Sequence, residues 1–204
     1  MSGLRERQKE QRRESILRAA LVLFDANGYN ATTVEQIAAS AGVSAPTVFN
    51  YFGNKQEVLF ALLERAANAE DAGIAEVWEM ISSLEDPIDI MCTVYSLVSR
   101  RELDALPISI WREILNSPFN STVSKEVVAM NDRLTGQIAF LFKWMQAQGK
   151  LRSDFDPSFA AKFMNDYAAL IFTKLVQSDE PNFDAHNSHV RAATELVING
   201  LRSR

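Results

Sequence analysis

Thr47, Asn50 and Tyr51 carry a hydroxyl, a carboxamide and a phenol at a spacing that places them on one side of a short helix. These groups donate and accept hydrogen bonds, and they can reach the base edges and phosphate oxygens of a DNA major groove. Val48 and Phe52, four residues apart, fall on the opposite side and can point inward. The helix therefore combines an inward apolar face with an outward face suited to nucleic acid.

Two short helices joined by a tight turn would position this face. Thr33 is expected to cap the first helix, with Gln36 completing a capping box. Gly42 would end that helix, because glycine readily adopts the left-handed conformation. Ser44 would cap the second helix, with Pro46 tolerated in its first turn. This pattern is typical of a helix-turn-helix with the second helix as reader. A plain helical hairpin with a polar surface has the same spacing and remains the alternative.

The N-terminal segment is basic although the chain is acidic. Residues 1–20 carry six basic and three acidic side chains, a local charge of +3 in a chain of net charge −5. A basic segment ahead of the reader can lie along phosphates or enter a minor groove. Arg12 and Arg13 are the candidates there, with Lys55 at the start of the next long helix. The alternatives are a solvated, charge-mixed helix start and a solvated lysine.

Three segments resemble the DNA-binding signature of the TetR family of bacterial transcriptional repressors. They are Thr33-Val-Glu-Gln-Ile-Ala, Ala41-Gly-Val-Ser and Thr47-Val-Phe-Asn-Tyr-Phe-Gly-Asn-Lys55, and the resemblance extends from about Glu14 to Leu63. It implies release from DNA by a small molecule, dimerisation through the last two helices, and a phosphate contact by Lys55. Two positions depart from the family pattern, which usually has glycine at Pro46 and often tyrosine at Phe49. Either change could remove a DNA contact, since proline lacks an N–H and phenylalanine lacks a hydroxyl.

Composition restricts the class of protein. The chain has 204 residues, 47% of them hydrophobic and 23% charged, which is ordinary for a globular protein of one or two domains. Its one cysteine, Cys92, permits no internal disulfide and is expected to be a buried, inert thiol. The N-terminus shows no apolar signal-peptide region, and no apolar run approaches membrane-spanning length. A cytoplasmic protein is expected.

Apolar residues recur at helical spacing through the chain, so the predicted fold is all-α. Residues 1–54 are predicted to form a three-helix DNA-binding domain, whose first helix runs from about Glu6 to Asn27. Residues 55–204 are predicted to form a larger helical domain for effector binding and dimerisation. Its first helix opens at Lys55 and is interrupted at Gly73.

The helix that follows Asp156-Pro157 is apolar nearly all round, so it needs cover on two sides. One side could face the core and the other a partner subunit. We therefore predict a homodimer through a four-helix interface, with a monomeric core closed by the same helices as the alternative. The predicted interface residues are Phe159, Phe163, Tyr167, Leu170, Val190, Ala193, Val197, Gly200 and Leu201.

Aromatic and methionine side chains in the larger domain could line an apolar effector cavity. Ordinary core packing explains the same residues, and the sequence does not separate the two. The expected ligand is largely apolar or aromatic. The candidate residues are Trp78, Met91, Tyr95, Trp111, Phe140, Trp144 and Phe172.

Catalysis is not indicated. The only two histidines, His186 and His189, stand three apart near Asp184, without a clear third metal ligand, and both are expected to be solvated. The chain has no phosphate-binding glycine loop and no nucleophile elbow. We expect no enzyme activity, no cofactor and no metal.

Together these patterns predict a sequence-specific, ligand-responsive repressor of a palindromic operator in double-stranded DNA. The rival class is a helical ligand-binding module without specific DNA recognition. The residues predicted to contact DNA are Arg12, Arg13, Thr33, Ser44, Ala45, Pro46, Thr47, Asn50, Tyr51 and Lys55.

Overall fold

A computed structural model describes residues 2–71, 74–116 and 121–202. Every regular element in these ranges is an α-helix, which confirms the predicted all-α fold. The predicted interruption at Gly73 lies outside the described residues. The helices are α1 (Ser2–Asn27), α2 (Val34–Ala41), α3 (Ala45–Phe52), α4 (Lys55–Asp71), α5 (Ile74–Ser82), α6 (Pro87–Ala105), α7 (Ile108–Asn116), α8 (Ser121–Ala147), α9 (Pro157–Gln177) and α10 (Phe183–Leu201).

The chain divides into two compact units. The first unit contains Met1–Asn68 with Ala105–Val123, and the second contains Ala69–Asp104 with Ser124–Arg204. The predicted boundary between residues 54 and 55 falls inside the first unit, at the start of α4. The assignment of DNA binding to residues 1–54 and of effector binding and dimerisation to residues 55–204 stays a prediction.

The first unit holds α3 on a small apolar core. Helix α1 packs against α2, and α2 packs against α3. Phe24, Ile37, Val48 and Phe52 are buried there, each from the apolar face of its own helix. Helix α7 also packs against α1, and the Ser109 hydroxyl donates a hydrogen bond of 2.9 Å to Asp25 Oδ1. The first unit therefore includes α7, a helix that is distant in sequence from α1, α2 and α3.

The second unit has its own core, which α6, α8, α9 and α10 supply. Several buried polar residues lie in this unit, and Asn165 is one of them. The Asn165 amide donates to the Asn131 backbone carbonyl at 3.1 Å, to Asn131 Oδ1 at 2.8 Å and to Thr135 Oγ1 at 2.9 Å. These bonds fix the register of α9 against α8, because a slip would leave the amide buried without partners. The fully buried apolar residues around it include Ile90, Met91, Ala161, Phe142, Met145 and Ile198.

His186 is buried, so the expectation that both histidines are solvated is wrong for this one. Asn182 caps α10, which places His186 in the first turn, facing α6. Its Nε2 lies 3.0 Å from Ser99 Oγ, and its ring stacks on Phe183 at a centroid distance of 5.6 Å. His189 is exposed, as expected.

Burial lowers the pKa of His186 below its ordinary value of 6.5. The His186 imidazole is therefore protonated more readily in the unfolded chain than in the folded one. The contribution of neutral His186 to the free energy of unfolding is complete above pH 6.5, and it is lost as pH falls through the lower folded-state pKa. We expect the free energy of unfolding, from urea titrations at pH 7.5 and 5, to fall less in His186→Gln than in wild type. His189→Gln is the control, and an equal fall in all three proteins would contradict this assignment.

Candidate functional site

The predicted caps of α2 and α3 are present in the structure. Thr33 Oγ1 accepts the Gln36 N–H at 3.2 Å, and Gln36 Oε1 accepts the Thr33 N–H at 2.8 Å, which completes the capping box. Gly42 ends α2 with φ of 69°. Ser44 caps α3 by accepting the Thr47 N–H, and its hydroxyl lies 2.8 Å from Thr47 Oγ1. The turn and the start of α3 are therefore fixed by local bonds.

Helix α3 has the two faces that its sequence predicts. Val48 and Phe52 are buried, whereas Pro46 and Asn50 are exposed. Phe49 is 46% exposed on the same outer side, a position that the sequence marks only as a departure from the family pattern. A phenyl ring there can contact a thymine methyl group in a major groove. The remaining outer-face candidates, Ala45, Thr47 and Tyr51, are half-buried.

The basic N-terminal segment forms the first turns of α1, which begins earlier than the predicted Glu6. Arg7, Lys9 and Arg13 line an open depression together with Asn50 and Tyr51 of α3. Glu6 and Glu10 line it as well, so the charge is mixed. Arg7 and Lys9 were not among the predicted DNA contacts. Positions 6, 9, 10 and 13 share one side of a helix, so the sequence does place Lys9 on the same side as the predicted contact Arg13.

Arg12 and Arg13 have different surroundings. Arg12 is exposed. Arg13 is half-buried, with its Cζ 5.6 Å from the centroid of the Phe52 ring. Its guanidinium lies 3.9 Å from Glu10 Oε1 and 4.0 Å from Glu64 Oε2. Arg13 therefore braces α1 against α3 and α4, whereas Arg12 has the exposure that a phosphate contact needs.

We expect Arg12→Ala to lower the slope of log affinity against log salt concentration by about 1, the effect of one lost phosphate contact. Arg13→Ala should instead reduce the free energy of unfolding by about 0.5–1 kcal/mol, through the lost cation–π contact. Anisotropy of labelled DNA across a salt series and urea titration measure the two effects. An unchanged slope in Arg12→Ala would remove that residue from the phosphate contacts.

The structure gives Lys55 a different role from the predicted phosphate contact. Its Nζ donates to the carbonyl oxygens of Tyr29 at 2.7 Å, Thr32 at 2.8 Å and Asn30 at 3.4 Å. It also lies 4.3 Å from the centroid of the Tyr29 ring. Burial lowers the pKa of Lys55, an effect that Glu113 partly opposes. The ammonium group holds the loop between α1 and α2, because that loop presents three carbonyls to one cation.

Lys55→Met should therefore reduce the free energy of unfolding by about 1.5–3 kcal/mol, the range for hydrogen bonds to a charged group. The salt dependence of DNA binding should stay as in wild type. Lys143→Met, which removes an exposed lysine of α8, is the matched control. If Lys55→Met has wild-type stability and a flatter salt dependence of DNA binding, then Lys55 contacts phosphate as the sequence predicts.

The outer side of α9 and one residue of α10 form an exposed apolar face. Phe159, Phe163, Tyr167 and Leu170 are exposed by 73%, 55%, 46% and 49%, although all four are large and apolar or aromatic. Leu196 is exposed by 79% and was not among the predicted interface residues. Its signal in the sequence is a position three residues after Ala193 and four before Gly200, both predicted for the interface. We call these five residues the apolar face.

Val190 is the one residue of the predicted interface that is buried within the protomer. It is 5% exposed and belongs to the core of the second unit, in line with Thr194 and Ile198 at four-residue steps. Helix α10 has apolar residues on two sides, and this stripe faces inward. Of the other predicted interface residues on α10, Gly200 is exposed, whereas Ala193, Val197 and Leu201 are half-buried.

A cavity of about 440 Å³ opens among α5, α6 and α8 of the second unit. Trp78 and Phe140 of the predicted set line it, with their ring planes perpendicular and their centroids 5.8 Å apart. Most of the other lining side chains are aliphatic. They include Val77, Ile81, Val94, Val98, Leu134, Ile138 and Leu141, with Arg101, Arg133 and Gln137 as polar members.

The other five predicted effector residues do not line this cavity. Met91 lies fully buried in the core of the second unit, and Phe172 is buried 6.5 Å from the His186 ring. Trp144 packs edge-on against Trp78. Tyr95 is buried and lines a separate groove together with residues of α9 and α10. Trp111 is buried on α7, in the first unit. Aromatic residues at helical spacing are here mostly core, which the sequence alone could not distinguish.

Two other kinds of site are absent from the described residues. None of the described helices is long and apolar enough to span a membrane. Among the described His, Cys, Asp and Glu side chains, no group of three is placed to hold a metal ion.

Parts of the chain are similar to known bacterial regulatory proteins. Residues 16–62 match the sequence model of the bacterial regulatory proteins of the tetR family. The HTH-type transcriptional regulator HbdR of Aromatoleum sp. (strain CIB) is 39% identical over 83 residues, which cover 41% of this chain and 35% of HbdR. The HTH-type transcriptional regulator TcmR of Streptomyces glaucescens is 29% identical over 165 residues, covering 77% of this chain and 70% of TcmR.

The chain thus spans about a third of HbdR and over two thirds of TcmR. Among solved structures, the TetR-family repressor FadR of Thermus thermophilus, in complex with lauroyl-CoA, superposes with a TM-score of 0.68. The superposition covers 94% of this chain and 96% of FadR at 23% sequence identity, a level that shows the shared fold alone.

Proposed function

Since the chain belongs to the TetR family of bacterial regulatory proteins, we propose that it is a transcriptional regulator and, more specifically, a homodimeric repressor. It would bind a pseudo-palindromic operator and leave it when a small, mostly apolar molecule binds. As a regulator of bacterial genes, it would act in the cytoplasm.

The geometry of α3 carries this proposal. Val48 and Phe52 anchor one side of the helix in the core, and the Ser44 cap fixes its start. The other side presents Asn50 and Phe49. A short helix held rigidly on one side, with an amide and an apolar ring on the other, is suited to reading base edges in a major groove.

The apolar face supports a homodimer. Large exposed apolar patches on globular proteins mark interaction sites, and here Phe159, Phe163 and Leu196 are all more than half exposed. A two-fold interface uses the same patch on both subunits. Two copies of α3 would then bind half-sites separated by roughly 34–36 Å or a multiple of it.

The cavity in the second unit supports the ligand response. Its volume of about 440 Å³ and its mostly aliphatic lining are typical of sites for small organic molecules. FadR of Thermus thermophilus, which has the same fold, is a repressor that binds lauroyl-CoA. A ligand that favours a state unable to bind DNA weakens DNA affinity by the same factor by which DNA weakens ligand affinity.

A reporter assay tests the repressor assignment. A duplex selected by the purified chain is placed across a bacterial promoter that drives a fluorescent protein, and the chain is expressed in the same cells. We expect fluorescence to fall with the wild-type chain and to recover with the double variant Thr47→Ala and Asn50→Ala, which alters the outer face of α3. A rise in fluorescence with the wild type would identify an activator, and an unchanged signal would contradict regulation through this site.

A further inference from the structure

A groove of about 400 Å³ is lined by residues of α9 and α10 in the second unit. Tyr95 of α6 is the one described lining residue from another helix. Tyr95, Met164, Ile171 and Val190 are each less than a tenth exposed, so they form the inner wall of the groove. None of the described lining residues also lines the cavity among α5, α6 and α8. The second unit therefore contains two separate hollows.

Tyr95 brings to this groove a buried hydroxyl group that the protomer leaves unsatisfied. The residue is 3% exposed, and its Oη has no hydrogen-bond partner among the described residues. Burial raises the pKa of the Tyr95 phenol, so the hydroxyl keeps its proton and remains a donor. Buried polar groups in native proteins are nearly always hydrogen-bonded, and an exception calls for a partner from outside the chain.

We propose that this groove is a second small-molecule site, which binds an apolar compound with a hydrogen-bond acceptor such as a ketone carbonyl. The carbonyl oxygen accepts the Tyr95 O–H, and the hydrocarbon part lies along Ile171 and Val190. Met164, an unbranched and flexible side chain of the inner wall, can change rotamer to admit the carbonyl. A volume of about 400 Å³ with an apolar wall and few polar groups is typical of sites for small organic molecules.

The rim of the groove belongs to the apolar face. Phe163, Tyr167 and Leu196 line the groove and are exposed by 55%, 46% and 79%. A partner subunit that packs on the apolar face would therefore cover the groove. Four of the five side chains of that face are pure hydrocarbon, and only Tyr167 has an oxygen that could accept the Tyr95 O–H. A bound carbonyl compound supplies the acceptor that the face largely lacks.

The first test measures the stability of Tyr95→Phe without any added compound. This variant should unfold at the same urea concentration as wild type or at a higher one, because it loses an unsatisfied buried donor and keeps the aromatic ring. An unfolding midpoint below that of wild type would overturn the proposal. The hydroxyl would then already have a partner, either ordered water or the second subunit.

The second test uses two compounds of nearly equal shape. 2-Acetylnaphthalene has a carbonyl oxygen where 2-isopropenylnaphthalene has a CH₂ group, and equilibrium dialysis against the full chain measures both affinities below the solubility limits. Tyr95→Phe should lower the ratio of acetyl to isopropenyl affinity by about 3- to 10-fold, the effect of one neutral hydrogen bond. The isopropenyl compound should bind the variant as it binds wild type.

Tyr29→Phe is the matched control, because it removes a half-buried phenol in the first unit, outside the groove. It should leave the affinity ratio at the wild-type value. An unchanged ratio in Tyr95→Phe would overturn the proposal, since the compounds would then bind elsewhere. If neither compound binds the wild-type chain, the proposal is overturned as well. The effector cavity and the DNA-binding role do not depend on these outcomes.

Discussion

Replacing both Phe163 and Leu196 by glutamate should convert the chain to a monomer and weaken its binding to a selected operator by about 100-fold or more. The two side chains are 55% and 79% exposed, so the change removes little packing within the protomer. In a two-fold dimer, the substitution brings four carboxylates into one interface, where they must lose water and repel each other. Without the dimer, each half-site is bound independently.

Sedimentation velocity measures the oligomeric state, and anisotropy with a labelled duplex measures affinity. Val128→Glu is the control, because Val128 is 58% exposed on α8 and lies outside the apolar face. Circular dichroism should show the same helical content for both variants. A double glutamate variant that remains dimeric, or a monomer with full operator affinity, would contradict the assignment of the apolar face to dimerisation.

Asn50→Ala should reduce affinity for the selected operator by about 1–3 kcal/mol, which is the discrimination that one good base contact provides. Asn50 is exposed on α3, so its removal should leave the free energy of unfolding nearly unchanged. Binding to a shuffled duplex of the same composition should change much less, because phosphate contacts carry no direct sequence information.

Competition binding to the selected and shuffled duplexes, at a single salt concentration, measures this ratio. Asn27→Ala, which removes an exposed asparagine at the end of α1, is the matched control. If Asn50→Ala weakens both duplexes equally, then the residue acts on the backbone and α3 must read bases through other groups.

The helix-turn-helix could be predicted from the sequence because its determinants are local. The capping box joins Thr33 to Gln36 within one helical turn, and Ser44 caps the helix that begins at the next residue. Gly42 supplies a left-handed conformation at the point where the chain must turn. Each of these interactions spans only a few residues, so residue type and spacing are sufficient to identify it.

Contacts between distant segments could not be predicted in this way. Two of the three carbonyl groups that bind Lys55 belong to Tyr29 and Thr32, which are 26 and 23 positions away in the sequence. Nothing near Lys55 distinguishes a lysine that holds a loop from a lysine that faces phosphate. Its position at the start of α4 indicates a role beside the reader, but the partner of its charge depends on how the first unit packs.

The faces of α10 show a second limit. Val190 and Leu196 are both aliphatic residues at helical spacing, yet one is 5% exposed and the other 79%. Which stripe faces inward depends on the surfaces that the neighbouring helices present, and these become known only when the helices are packed. The same reason explains why Trp111, a candidate effector residue in the sequence, is a buried residue of α7.

Selection of random duplex DNA by the purified chain, at two salt concentrations, tests most directly that this protein is a dimeric, sequence-specific regulator. We predict enrichment of one pseudo-palindrome at both concentrations, with weaker total binding at the higher one. Salt-sensitive binding without an enriched sequence would contradict specific recognition, because the basic residues would then bind phosphate while α3 read no bases.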